Sequence, residues 1–194
     1  MRWAAENDFD SLLAPAAAGA GIELALVKAL IGHESQFDPN AYHFDGPDPA
    51  LNASYGLMQV EGTTARGYGY TGPVQGLYDP SRNVSLGVRR LREALDRQGG
   101  DVARAVSDYN GGNRPSLGFG TPFPNGRFGN QAYVDSVLDN LGYFRAQAPA
   151  APGDTTAAPT PVAAAPSALR KVVLVVAGIL GAALVIVLGR RVLA

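Results

Sequence analysis

The sequence predicts a mainly α fold with one small β-hairpin, followed by a disordered linker and a C-terminal transmembrane helix. Three observations support this. Residues 22–36, 81–97 and 131–145 repeat apolar side chains at three- and four-residue spacing, the period of a helix with a buried face. Residues 54–60 break that period and read as short and extended, with Gly56 allowing a tight backbone. Composition then changes near residue 145: residues 1–145 hold 16 of the 17 Asp and Glu, whereas residues 146–170 hold ten Ala and five Pro and no aromatic residue.

Residues 1–145 are expected to form one globular domain. The first ten, MRWAAENDFD, carry three acids and do not read as a secretory leader. The helix over 22–36 must stop near Phe37, because Pro39 pushes Asp38 out of helical geometry. Residues 41–53 read as an Asp-, Pro- and Gly-rich loop, and residues 62–67 as a short helix. Val84, Val88, Leu91 and Leu95 form the inner face of the helix over 81–97, and Asp101 caps a further helix ending near Tyr109. Residues 114–129 form a loop long enough to suggest a functional wall or flap. Val134, Val137, Leu138 and Leu141 face inward from the last helix.

Residues 146–170 read as a Pro/Ala-rich tether. Residues 171–194 read as a transmembrane helix with basic flanks. Its stretch VVLVVAGILGAALVIVLG has no charged or polar side chain and would span about 27 Å as a helix, close to the ~30 Å hydrocarbon core. Two basic residues on each flank give no orientation.

The net charge of −1 excludes a strongly basic nucleic-acid binder. The absence of cysteine excludes disulfides, thiolate metal sites and a cysteine nucleophile. His33-Glu34 begins a zinc-type motif that fails because Phe37 stands where the second histidine belongs. His33 and His43 are expected to be loop or surface residues. No metal and no cofactor are expected.

Glu34 extends the apolar strip of Leu30 and Ile31 and sits in the last turn of its helix. Desolvation and the negative end of the helix dipole both raise a carboxyl pKa there, and a carboxyl kept protonated near neutral pH can act as a general acid. Periodicity alone leaves open an ordinary glutamate reaching water. Ser54 to Gln59 offers a hydroxyl and an amide in an extended stretch, equally consistent with a packed hairpin. Tyr109-Asn110-Gly111-Gly112 ends a helix and can face a cleft, or simply stop the helix.

These pieces occur in a specific order: Glu34-Ser35-x-Phe37-x-Pro39-x-Ala41, Ser54-x-Gly56-Leu57-Met58-Gln59, Thr64-Ala65, Asp79-Pro80-x-x-Asn83-Val84-x-x-Gly87, Tyr109-Asn110-x-Gly112 and Tyr133-Val134. Over residues 20–143 the chain resembles the lytic transglycosylase family, whose catalytic domain is goose-type lysozyme-like. The resemblance implies an α+β lysozyme-like fold with Glu34 as the sole catalytic acid/base. It places Ser54, Met58, Gln59, Tyr109, Asn110 and Tyr133 along the glycan and gives Ser35 a helix-end supporting role. Asp79 and Asn83 are then structural.

The resemblance also implies cleavage of the β-1,4 bond between N-acetylmuramic acid and N-acetylglucosamine in peptidoglycan, with 1,6-anhydro ends. A hydrolytic muramidase on the same fold is the alternative. It needs a second carboxylate, for which Asp38, Asp45, Asp48 and Asp108 are the candidates. A non-catalytic, membrane-tethered glycan-binding module is a further alternative. The expected partners are peptidoglycan strands, a lipid membrane and other virion proteins, with no nucleic acid. The late span favours a virion membrane and a role in phage entry, over a bacterial inner membrane with the domain in the periplasm.

Overall fold

A computed structural model describes residues 1–44 and 46–148. The expected linker and membrane helix lie outside the described residues, and among the described residues no helix is long and apolar enough to cross a membrane.

Helix α1 (Asp10–Gly19) and helix α2 (Leu24–Glu34) open the fold. Strand β1 (Tyr42–Phe44), the single turn α3 (Pro49–Asn52), strands β2 (Ala53–Tyr55) and β3 (Val60–Glu61) and the short helix α4 (Gly62–Gly67) follow. After a 3-10 turn, Val74–Tyr78, come α5 (Pro80–Arg97), α6 (Val102–Gly111) and α7 (Gln131–Gln147). The mainly α expectation holds, with two additions and one correction. The expected hairpin is a three-stranded antiparallel sheet of order β1-β2-β3, because the expected loop over 41–53 contributes β1 and α3. Helix α1 has no counterpart in the sequence reading. The loop over 114–129 is not a wall of the cleft described below. It folds on itself through Arg114 and Phe119 and through Gly129 N to Gly118 O (2.9 Å), and it is tied to α6 by Gly120 N donating to Ser107 Oγ (3.0 Å).

Helix α2 is the axis of the core. Ala25 through Gly32 are buried without interruption, so this helix is enclosed rather than one-faced. It lies along α7, while α1 covers α2 and α5. Each fully buried Leu, Ile or Val contributes ~1.5–3 kcal/mol of transfer free energy. Two buried polar side chains of the core are paired. Lys28 Nζ donates to Asn7 Oδ1 (2.7 Å) and Asp10 Oδ1 (2.8 Å), and Asn140 Nδ2 donates to Ala29 O (3.1 Å). Trp3 closes the end of the core against Phe37, Phe144 and Tyr143. The fully buried Glu6 accepts from the backbone N–H of Arg2 and Trp3 and from Tyr143 Oη.

Asp79 caps α5 by accepting from Arg82 N, and Asp101 caps α6 by accepting from Arg104 N. Asn83, fully buried on α5, fixes the β2–β3 turn. It accepts from Met58 N (2.8 Å) and donates to Tyr55 O (2.6 Å) and Leu77 O (2.8 Å). Gly56 has φ +71°, and a Cβ there would stand 2.6 Å from Asn83 Nδ2, so the turn requires glycine.

Candidate active site

Helix α2 ends at Glu34 through an unusual backbone. Ser35 N and Gln36 N both donate to Ile31 O, and Gln36 and Phe37 hold φ values of 55° and 67°. Non-glycine residues rarely adopt that region, and burial of the Phe37 ring holds the chain there. Ser35 Oγ donates to Leu57 O (2.7 Å), tying the end of α2 to the β2–β3 turn. Gln59, the third non-glycine residue with positive φ (44°), sits on that turn. The described non-glycine residues with left-handed backbone thus cluster around one place.

That place is a cleft of about 510 Å³. The end of α2, the sheet, α5, the end of α6 and the start of α7 each supply side chains to it. Glu34, Ser54, Gln59, Tyr109, Asn110 and Tyr133 all line it, so the structure brings together six of the residues the sequence selects. Burial is the largest influence on Glu34 and pushes its carboxyl up. The hydrogen bond from Tyr133 Oη and the positive charge of Arg90 pull it back, and the result is a pKa of about 7. Tyr133 is itself held neutral: burial and the neighbouring Glu34 keep its phenol well above the ordinary value.

Tyr109 Oη donates to Met58 O (2.8 Å), so its hydroxyl supports the turn while the ring faces the cleft. Gln59 Nε2 donates to Gly56 O (2.9 Å) and Ala41 O (3.1 Å), which leaves its carbonyl oxygen as the group for a ligand. Asn110 is exposed and accepts from Asn130 Nδ2 (2.9 Å).

Met58 requires correction. Its side chain is fully buried and does not line the cleft. It packs on α5 at Gly87, where an added Cβ would meet Met58 Sδ at 2.5 Å. Its contribution to the site is its backbone, through Asn83 and Tyr109. The tight turn over residues 56–59, which replaces a continuous extended stretch, reverses the side chains and turns Met58 inward.

Both histidines line the cleft; His43 is exposed, as expected of a surface residue, whereas His33 is half-buried within α2. His33 Nδ1 lies 2.8 Å from Ser136 Oγ and its ring packs edge-on against Tyr133 at 4.5 Å; burial lowers its pKa. Among the described candidates for a second carboxylate none lines the cleft. Asp108 is fully buried and held by Arg97 (2.7 and 2.8 Å) and Gln98 (2.9 Å), while Asp38 and Asp48 accept from the backbone of their own turns. Asp45 lies outside the described residues.

Sequence reasoning missed Arg90 and Glu61. Arg90 donates to Tyr109 O (3.0 and 3.2 Å) and Asp108 O (3.2 Å), satisfying carbonyls at the end of α6, and its guanidinium lies 5.6 Å from the Tyr109 ring centroid. The available signal was its position three residues after Gly87, on the α5 face that meets the turn. Among the described residues no group of three or more acidic or histidine side chains is arranged to hold a metal.

The family model described as "Transglycosylase SLT domain" matches residues 11–117. A protein named "Transglycosylase" from Enterobacteria phage PRD1 is 34% identical over 127 residues, which are 65% of this chain and 40% of that protein. The fold is similar to that of lytic transglycosylase Slt from Pseudomonas aeruginosa, at TM-score 0.53 and 22% identity over 71% of this chain and 24% of that one. It is similar also to the 70-kDa soluble lytic transglycosylase of Escherichia coli, at TM-score 0.55 and 22% identity over 72% of this chain and 24% of that one. A complex of the 70-kDa enzyme with bulgecin A gives 0.57 at 22% identity, over 73% and 24%. The chain thus spans less than half the length of these relatives. The match begins within α1 and runs through Glu34, the β2–β3 turn and Tyr109-Asn110, the same segments that build the cleft, and the chain belongs to the transglycosylase SLT domain family.

Proposed function

We propose that the chain is a peptidoglycan lytic transglycosylase that cleaves the bond from N-acetylmuramic acid to N-acetylglucosamine and leaves 1,6-anhydro ends. The observation that carries this is Glu34: a carboxyl in a cleft, with a pKa of about 7 and a hydrogen bond from Tyr133. Such a group holds its proton near neutral pH and gives it to a leaving oxygen without a large energetic penalty.

In this reading Glu34 protonates the glycosidic oxygen as the C1–O bond breaks. The acetamido group of muramic acid supports the positive charge at C1. The Glu34 carboxylate, steadied by Tyr133 and Arg90, then takes the proton from the C6 hydroxyl as that oxygen bonds C1. Gln59 and Asn110 hold acetamido groups, and Ser54 meets a sugar hydroxyl. The proton returns to Glu34, so one residue serves both steps.

A relative from a phage supports reading this chain as a phage protein; a virion location with local wall digestion during entry is part of the same proposal. The uncharged stretch 172–189 supports attachment to a membrane. Glu34→Gln should reduce release of soluble muropeptides from purified sacculi by roughly 10²–10⁴-fold with folding intact. Substantial lysis by a folded Glu34→Gln protein would refute the assignment, and proteomics of purified particles tests the virion placement.

A further inference from the structure

The strand register puts His43, Ser54 and Glu61 directly opposite one another across β1, β2 and β3. Directly opposed residues share a face of the sheet, and all three line the cleft. Among the described residues Glu34 and Glu61 are the two acidic side chains that do so. They come from different walls, Glu34 from the end of α2 and Glu61 from the sheet. The Glu61 side chain is half-buried, makes no capping hydrogen bond although it stands at the N-cap of α4, and has no hydrogen bond or ion pair with any other described side chain. The remaining described acids near the site are spent elsewhere, Asp108 on Arg97 and Gln98, Asp38 and Asp48 on their own backbone.

An uncommitted carboxylate lining the same cleft as the proposed general acid, and supplied by a different wall, is the kind of pairing that glycoside hydrolysis uses. We propose that Glu61 activates water in this cleft, so that the chain releases reducing muramic ends beside the 1,6-anhydro ends. The proposal rests on the glycan-cleaving role given to Glu34. Glu34 gives its proton to the leaving oxygen, which keeps the electron pair of the broken C1–O bond. Glu61 removes a proton from a water whose oxygen bonds C1. One water is consumed, Glu34 leaves the step as carboxylate and Glu61 as acid, and proton exchange with solvent restores both. Water and the C6 hydroxyl thus compete for the same C1, and Glu61 sets the ratio.

The test digests purified sacculi with the full chain and counts both kinds of end by mass spectrometry. Wild type should give both kinds of end. Glu61→Gln, nearly the same size, should lower the ratio of reducing to anhydro ends roughly 100-fold, the scale of a positioned base. Glu61→Asp, which keeps the carboxylate, should restore part of it. Anhydro ends alone from wild type, or an unchanged ratio in Glu61→Gln, overturns the role of Glu61 and leaves that of Glu34 standing. No cleavage by wild type overturns the role of Glu34 and this inference with it. Thermal unfolding confirms that each variant is folded, and should Glu61→Gln not fold, a wild-type ratio in Glu61→Asp with its shortened, displaced carboxylate overturns the proposal.

Discussion

Glu34 is a weaker acid in this cleft than a glutamate in water because burial disfavours its charge more than Tyr133 and Arg90 favour it. Activity that needs the protonated form should therefore fall as pH rises through about 7. Tyr133→Phe removes a donor that stabilises the carboxylate, so the Glu34 pKa rises and the alkaline limb of the pH–rate profile moves to higher pH. The same variant slows the step that needs the carboxylate as base, which lowers the plateau rate. A profile that does not move would show that Tyr133 is only packing. At this scale part was legible: the apolar strip of Leu30 and Ile31 put Glu34 where burial and the helix end could raise its pKa, though periodicity alone left a solvated glutamate equally open. The inward turn of Met58 was not legible, because it depends on the left-handed backbone at Gln59 and on Asn83 reaching from α5.

At the scale of elements, the site is built by one helix end and one turn clasped together. Ser35 holds the turn from α2, Asn83 holds it from α5, and Tyr109 holds it from α6. Asn83→Ala orphans the buried Met58 N–H, which alone costs roughly 1–3 kcal/mol, and frees two carbonyls besides. Urea unfolding should show that loss, and muropeptide release should fall with it because Gln59 and the Met58 carbonyl lose their position. An Asn83→Ala protein with wild-type stability and activity would contradict this account of the turn. The helices α2, α5, α6 and α7 were legible from period and caps. Helix α1 was not. Its sequence DSLLAPAAAG has Pro15 inside it and a weak apolar stripe, and it is stabilised by burial of Leu13 and Ala17 rather than by local preference. Strand β1 was hidden for a similar reason, since Tyr42, His43 and Phe44 are all exposed and show no alternation.

For the whole molecule, the chain divides into two units, Met1–Ala151 and Pro152–Ala194, and the cleft belongs entirely to the first. The second contains the uncharged stretch 172–189, on which the proposed membrane attachment rests. Ending the chain after Ala151 should leave cleavage of soluble glycan fragments within about twofold of the full chain and abolish its sedimentation with phospholipid vesicles. Equal vesicle binding by both proteins would remove the membrane assignment without touching the chemistry. That chemistry depends on a single proton being held at neutral pH. The direct measurement is a titration of the Glu34 side-chain carboxyl by carbon NMR in the full chain, with its resonance assigned by loss in Glu34→Gln. The account predicts a midpoint of about 7. A midpoint near the ordinary glutamate value of about 4.3 would contradict it.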